Sequence, residues 1–321
     1  MNVYDFDKTI YDGDSTLDFY LFCLKKQPIL LRFLPYQCGA FLVYCLGMID
    51  KTQFKQCFYS FLRGVSQTDQ FVEEFWCQSH RKIKPWYLQR QEKDDVIISA
   101  SPEFLLLPIC RRLNIRFLLA SPVDQYSGIC TGANCYGQEK VVRFRQKFGD
   151  RTIDEFYSDS LSDSPLAELA HKSYIVGKKS KVPWNEYRPS TRQKLKRLFL
   201  SKEFVAFLMI GVFNAINGIV FAYAYSQFLD VNLAFILGYI TSLSISYLLN
   251  SFITFKESLG LVKYVKFCIS YIPNFIIQNT IVLIFYNGLG FHKLFTYSLA
   301  ALLGVPITFL FMKVFAFRKK H

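Results

Sequence analysis

The sequence predicts an α/β domain followed by an all-α membrane domain, and three observations carry that prediction. Short β-branched or apolar runs near the amino terminus end in acidic or hydroxyl-bearing residues, with helical patterns between them. The second observation is composition: 51% of the 321 residues are hydrophobic and 17% aromatic, and the mean hydropathy is +0.18, too apolar for a wholly soluble chain. Third, the long apolar runs crowd beyond Phe204, so the first part reads as soluble and the second as membrane.

Asn2–Phe6 reads as a strand, and Asp5 and Asp7 leave its carboxyl end on the same face because strand side chains alternate. Two such acids suit phosphoryl transfer, one attacking phosphorus and the other moving the leaving-group proton. From about Ser15 to Arg90 the pattern is helical. Within it, Pro28 to Ile49 is nearly long enough to cross a bilayer. A single crossing is excluded if Asp5 and the later acids share one site. A shallow membrane-facing hairpin broken near Pro35 and an ordinary apolar helical core both remain open.

Val96-Ile97-Ile98 reads as a buried strand running into Ser99-Ala100-Ser101-Pro102-Glu103. Ser101 is placed to cap a helix whose first residue is Pro102, a ready anion site, with Ser99 at the strand tip. Ile115–Ala120 is another strand, and Gln138 to Phe144 has the look of a helix start that carries Lys140. Glu155–Ser158 then leads to Asp159 and Asp163, two carboxylates four residues apart that suit a hard cation; a site shared with phosphate and water favours Mg²⁺. A helix over Pro165–Ala170 and a final strand over Ser173–Gly177 follow.

The stretch Asp5-Phe6-Asp7-Lys8-Thr9 resembles the first motif of the haloacid dehalogenase (HAD) superfamily of aspartate-nucleophile phosphatases. Ser99, Lys140 and the Asp159-x-x-x-Asp163 pair resemble its second, third and fourth motifs in order, with Lys147 and Arg143 as alternatives for the lysine. YSDSLSDSPLAELA is similar to the phosphoserine-phosphatase-like branch. The resemblance implies a parallel-sheet Rossmann-like core over residues 1–177, with an inserted helical cap at about 15–90. It further implies Asp5 as nucleophile, Asp7 as general acid and base, and Ser99 and Lys140 as phosphate ligands. Mg²⁺ would be held by Asp5, the Asp7 backbone carbonyl and Asp159, with Asp163 supporting that shell.

Residues 178–202 form a polybasic linker expected to lie against an anionic leaflet, and 203–321 form the membrane domain. Its four spans fall at about Phe204–Leu229, Leu233–Phe255, Val265–Leu289 and Phe295–Phe317. Lys256, Lys263, Lys266, Arg318, Lys319 and Lys320 flank one side. Both termini and the catalytic domain are therefore expected in the cytoplasm, in a multi-pass cytoplasmic (inner) membrane protein. A strand beginning at Asn2 leaves no room for a leader, which agrees with that expectation. The half repeats itself: Phe204–Phe207 with Asn214 matches Tyr264–Phe267 with Asn274, and Ile245–Leu248 with Phe255 matches Ile307–Leu310 with Phe317, a parallel repeat. Phe207, Gly211 and Asn214 with the Phe255-Lys256 and Phe317-Arg318 endings resemble the GtrA family of four-span proteins. That similarity implies a partner carried on polyprenyl phosphate.

Asn214, Asn217, Asn250, Asn274, Gln278 and Asn279 could line a headgroup path or join helices. The net charge of +13 gathers beside apolar runs with no nucleic-acid module visible, which points to lipid headgroups. Nine scattered cysteines suit a reducing compartment, and the four histidines show no ligand spacing. The combined expectation is a membrane-tethered Mg²⁺ phosphatase acting on a lipid or polyprenyl-linked sugar. A homo-oligomer and a cell-envelope glycosyltransferase partner are compatible with it. The competing expectations are a GtrA-like transporter with a regulatory HAD domain and an anchored phosphatase of soluble esters.

Overall fold

The computed structural model describes residues 1–177 and 180–317, so Lys178, Lys179 and the expected closing run Arg318, Lys319 and Lys320 lie outside the described residues. The chain divides into two compact units, Met1–Phe41 with Ile49–Pro189 and Leu42–Met48 with Ser190–His321.

The first unit is built on six strands: β1 (Asn2–Tyr4), β2 (Val96–Pro102), β3 (Phe117–Ser121), β4 (Ile153–Ser158), β5 (Ala170–Val176) and β6 (Lys181–Pro183). Their order is β3-β2-β1-β4-β5-β6, parallel throughout except for the antiparallel β5–β6 pair. This is the mostly parallel, Rossmann-like sheet that the motif order implies. Val3 pairs with Val96 on one side and Phe156 on the other, so β1 is central and the strand order reverses around it. Open α/β sheets bind ligands at the carboxyl ends of strands beside such a switch point. The two faces of β1 feed different cores, as period-two alternation demands: Val3 packs with Val96, Ile98 and Phe156, and Tyr4 with Ile97 and Tyr157.

Between β1 and β2 lie the helices α1 (Ser15–Lys26), α2 (Leu34–Cys45), α3 (Lys51–Phe58), α4 (Thr68–Ser79) and α5 (Pro85–Leu88). Asp14 caps α1 by accepting from Leu17 N, and Asp50 with Gln53 forms a capping box on α3. The remaining helices of this unit are α6 (Glu103–Arg112), α7 (Gln138–Phe148) and α8 (Ser164–Ala167).

Several expected boundaries move. Pro28–Phe33 is a 3-10 segment running straight into α2, and Pro35 sits harmlessly in the first turn of that helix, so no hairpin forms there. Nor is this stretch an ordinary core: Ile29, Leu31, Leu34 and Phe41 are exposed, and Pro28–Cys45 is long and apolar enough to cross a membrane. The helix expected over Pro165–Ala170 ends at Ala167, because Ala170 already pairs with Ile153 as the start of β5. That strand is not the last; β6, an edge strand ending in Pro183, follows it.

The second unit contains α9 (Thr191–Phe199), α10 (Lys202–Tyr225), α11 (Val231–Leu249), α12 (Leu261–Ile269), α13 (Ile272–Ile281) and α14 (Lys293–Phe311). Three of the spans finish in π-helical turns, Asn250–Phe255, Val282–Gly288 and Met312–Ala316. The third span, expected unbroken, is interrupted at Ser270–Tyr271 ahead of Pro273. Proline lacks the N–H and crowds the carbonyl four residues back, which accounts for the break. With Pro28–Cys45, five helical stretches among the described residues are long and apolar enough to span. The sequence repeat has a spatial counterpart. Phe255 and Phe317, which close the two repeats, stack at 4.3 Å, and Phe207 and Phe267 are buried in the same aromatic cluster.

Candidate functional site

The acids of β1 are delivered by a sharp turn. Asp5 N donates to Tyr157 O at 2.9 Å, which extends the β1–β4 pairing, and Lys8 then adopts the left-handed conformation with φ 59°. Such strain in a non-glycine residue concentrates at functional sites. Here it turns the chain immediately after Asp7.

Asp5, Asp7, Ser99, Lys140, Asp159 and Asp163 all line one cavity of about 470 Å³ in the first unit. Lys140 is the fully buried hub. Its Nζ donates to Asp5 Oδ1 and to Asp163 Oδ2, each at 2.7 Å, and Ser158 Oγ donates to Asp163 Oδ2 at 2.8 Å. Gly137, with φ 58°, sets the entry to α7 that aims Lys140 inward. The alternatives are elsewhere: Lys147 is exposed, and the Arg143 guanidinium is engaged by Glu139 and the Ala120 and Ala133 carbonyls.

Burial pushes the Asp5 carboxyl up to about 7; Lys140 pulls it back while Asp163 and Asp159 push it further. Asp7 is also raised by burial, and its oxygens are gripped by Ser15 N at 2.7 Å and by the Ser101 hydroxyl. Ser101 was expected to cap the next helix. Instead β2 runs on through an irregular register to Pro102, α6 starts at Glu103, and the Ser101 side chain turns to Asp7. Ser99 is buried, and its Oγ accepts from Ser101 N at 3.1 Å. Asp159 is raised by burial, with Lys8 opposing.

Among the described residues no three acids, histidines or cysteines are already gathered into a metal cage. A hard cation nevertheless fits the donor set. Asp163 Oδ1 is buried without a hydrogen-bond partner, and Asp5 is destabilised by two neighbouring carboxylates with only Lys140 to offset them.

Lys51 and Lys55 of α3 also line this cavity and were not foreseen, and Ser101, foreseen only as a helix cap, lines it too. Lys55 Nζ donates to Ala100 O at 2.6 Å and Asn134 Oδ1 at 2.8 Å, and Lys51 Nζ lies 3.1 Å from the centre of the Tyr136 ring. The signal available was a lysine pair one helical turn apart behind a capping box.

An acid-lined cavity at the strand tips of a Rossmann-like sheet, in a chain that also carries apolar spans, is the arrangement of a hydrolase domain with a membrane domain. Residues 3–168 match the family model for haloacid dehalogenase-like hydrolases, and 206–317 match that for the GtrA/DPMS transmembrane domain. The chain belongs to the haloacid dehalogenase-like hydrolases and carries a GtrA-like membrane domain. It is similar to Protein CicA of Caulobacter vibrioides, strains NA1000 / CB15N and ATCC 19089 / CIP 103742 / CB 15, at 31% identity over 88 residues. That match covers 25% of this chain and 40% of the relative's length. A Bordetella pertussis Tohama I protein of unknown function is 21% identical, covering 54% of this chain and 87% of that one with a TM-score of 0.46. A phosphoserine phosphohydrolase-like protein of Francisella tularensis subsp. tularensis SCHU S4 is 20% identical, covering 54% and 86% with a TM-score of 0.35.

Proposed function

We propose that the protein is a membrane-tethered, Mg²⁺-dependent phosphatase that hydrolyses a phosphomonoester borne by a lipid or a polyprenyl-linked sugar. The observation that carries the lipid part is the apolar surface of the helical segment that begins with α1, the helix that contributes Leu17 to the site. Leu17 lines the cavity and is 47% exposed, and Leu21, Ile29, Leu31, Leu34 and Phe41 are exposed on the same segment. An apolar face of this kind marks a lipid or partner surface.

The chemistry follows from the side chains. Asp5 Oδ1 is held by Lys140, whereas Oδ2 has only a 3.4 Å contact from Thr9, which makes Oδ2 the attacking atom of an aspartyl-phosphate pathway. Asp7, raised by burial and fixed by Ser15 and Ser101, is suited to carry the proton to the leaving oxygen and later to take one from water. Ser99 and Lys140 hold the phosphoryl oxygens. Asp5, the Asp7 backbone carbonyl and Asp159, with Asp163 behind them, are the groups that would hold Mg²⁺. When bound, that ion supplies positive charge opposite the transferring phosphoryl group.

In this reading 1–177 is catalytic, 178–202 connects it to the membrane domain while lending β6 to its sheet, and 203–321 is the domain that presents or moves the lipid. Lys256, Lys263 and Lys266 cluster at one turn, which supports a cytoplasmic face for the termini and catalytic domain.

Phosphate release from phosphorylated glycerophospholipid and polyprenyl substrates in Mg²⁺-containing mixed micelles tests the assignment. Asp5→Asn should lower release by roughly 10³-fold or more. Equal release by both proteins would remove Asp5 as nucleophile, and release from water-soluble esters alone would remove the lipid.

A further inference from the structure

The cavity has two chemically different walls. The core wall carries the acids, and Lys140, buried there, is paired with Asp5 and Asp163. The wall contributed by α3 carries Lys51, Phe54, Lys55 and Phe58, two ammonium groups and no carboxylate. Lys51 and Lys55 stand one turn apart on one face of that helix. Lys55 spends two of its three N–H donors on neutral acceptors, Ala100 O and Asn134 Oδ1. Lys51 rests on the Tyr136 ring and makes no ion pair among the described residues.

Lys51 and Lys55 line the same space, and the charge on Lys55 raises the cost of charging Lys51. Burial first and Lys55 second pull the Lys51 ammonium down to about 8. An anion placed between them relieves that cost. Asp7 and Asp14 are the groups that favour the charged form of Lys55, so this wall adjoins the acid that serves the leaving oxygen. About 470 Å³ is within the usual range for small-molecule sites, which leaves room beyond the phosphoryl group.

We propose that Lys51 and Lys55 form a subsite for a second anionic group, a carboxylate or a phosphate ester, carried on the alcohol whose phosphomonoester is cleaved. This rests on the phosphatase reading above and narrows its substrate class to esters bearing a second negative charge.

The full-length protein in detergent micelles with Mg²⁺ is assayed on glycerol 1-phosphate, glycerol 1,3-bisphosphate and 3-phosphoglycerate. One doubly anionic ester should exceed glycerol 1-phosphate about 10-fold in kcat/KM, chiefly through KM, the worth of one charge-assisted contact. The bisphosphate arm identifies a phosphate, the phosphoglycerate arm a carboxylate. Lys51→Gln should collapse the ratio to within about 3-fold, and Lys51→Arg should keep most of it. A wild-type ratio near one, or equal losses on all three esters in Lys51→Gln, overturns the subsite while leaving the phosphatase standing. If none of the three is turned over, thermal protection reads the same preference without catalysis. Stronger protection by the bisphosphate or phosphoglycerate than by glycerol 1-phosphate, lost in Lys51→Gln, supports the subsite; equal protection overturns it. Phosphate release from no ester and no lipid overturns the phosphatase reading instead.

Discussion

The catalytic unit and the membrane unit treat buried polar groups in opposite ways. In the first, charges are concentrated where β1, β2 and β4 end: Lys140 is clamped between Asp5 and Asp163, while Asp163 Oδ1 is left without a partner. In the second, the buried polar side chains of the described residues are neutral, and several are spent on backbone. Asn250 Nδ2 donates to Ser246 O at 2.9 Å, Thr308 Oγ1 to Gly304 O at 3.0 Å, and Ser270 Oγ to Lys266 O at 2.8 Å. The difference teaches where chemistry can occur. Unbalanced charge marks the site that must receive something, and neutral amides and hydroxyls mark helices that must hold together.

The strongest way to break this contrast is Lys140→Met. Removing the ammonium leaves Asp5 and Asp163 buried side by side, which should cost about 3–5 kcal/mol, the usual loss when a buried pair is broken. A thermal or denaturant melt reads it, and phosphate release should fall with it. A stability loss below about 1 kcal/mol would mean that solvent reaches these acids and that Lys140 is no hub.

Most of the site was legible because its chemistry is local. Asp5 and Asp7 sit at alternate strand positions, and the Asp159–Asp163 spacing is carried by one turn after β4, so short stretches specify them. Lys51 and Lys55 were not legible: a lysine on an amphipathic helix reads as solvated, and only the packing of α3 over the strand tips turns this pair inward. Ser101 was misassigned for the same reason, since the continuation of β2 to Pro102 depends on pairing with Ser121 of β3. The break at Ser270–Tyr271 had a visible cause in Pro273.

A carboxylate buried away from the site sharpens the contrast from within the catalytic unit. Asp95 accepts from Glu92 N at 2.9 Å, and burial pushes its carboxyl up to about 6. A folded-state value above the unfolded one means that the native state holds the proton more tightly. Stability from this group is therefore present below about pH 4 and is lost as pH rises to about 6. Asp95→Asn should remove that slope between pH 4 and 6 and stabilise the protein at pH 7 on the order of 1 kcal/mol, followed by melts across that range. An unchanged slope would place the titration elsewhere.

The smallest effect separates the two halves of the membrane repeat. Ser242 Oγ donates to Asn214 Oδ1 at 2.6 Å and so joins α11 to α10. Carrying the repeat forward places Gly304 opposite Asn274, where a Cβ would stand only 2.0 Å from Asn274 Oδ1. One hairpin is thus joined by a side-chain hydrogen bond, the other by close approach of a bare backbone. Interhelical hydrogen bonds within membranes are worth about 0.6 kcal/mol, so Ser242→Ala should lower stability in detergent by about that amount. A loss several times larger would mean that Ser242 is the keystone of the first hairpin, and the parallel with a second hairpin that manages without a hydroxyl would fail.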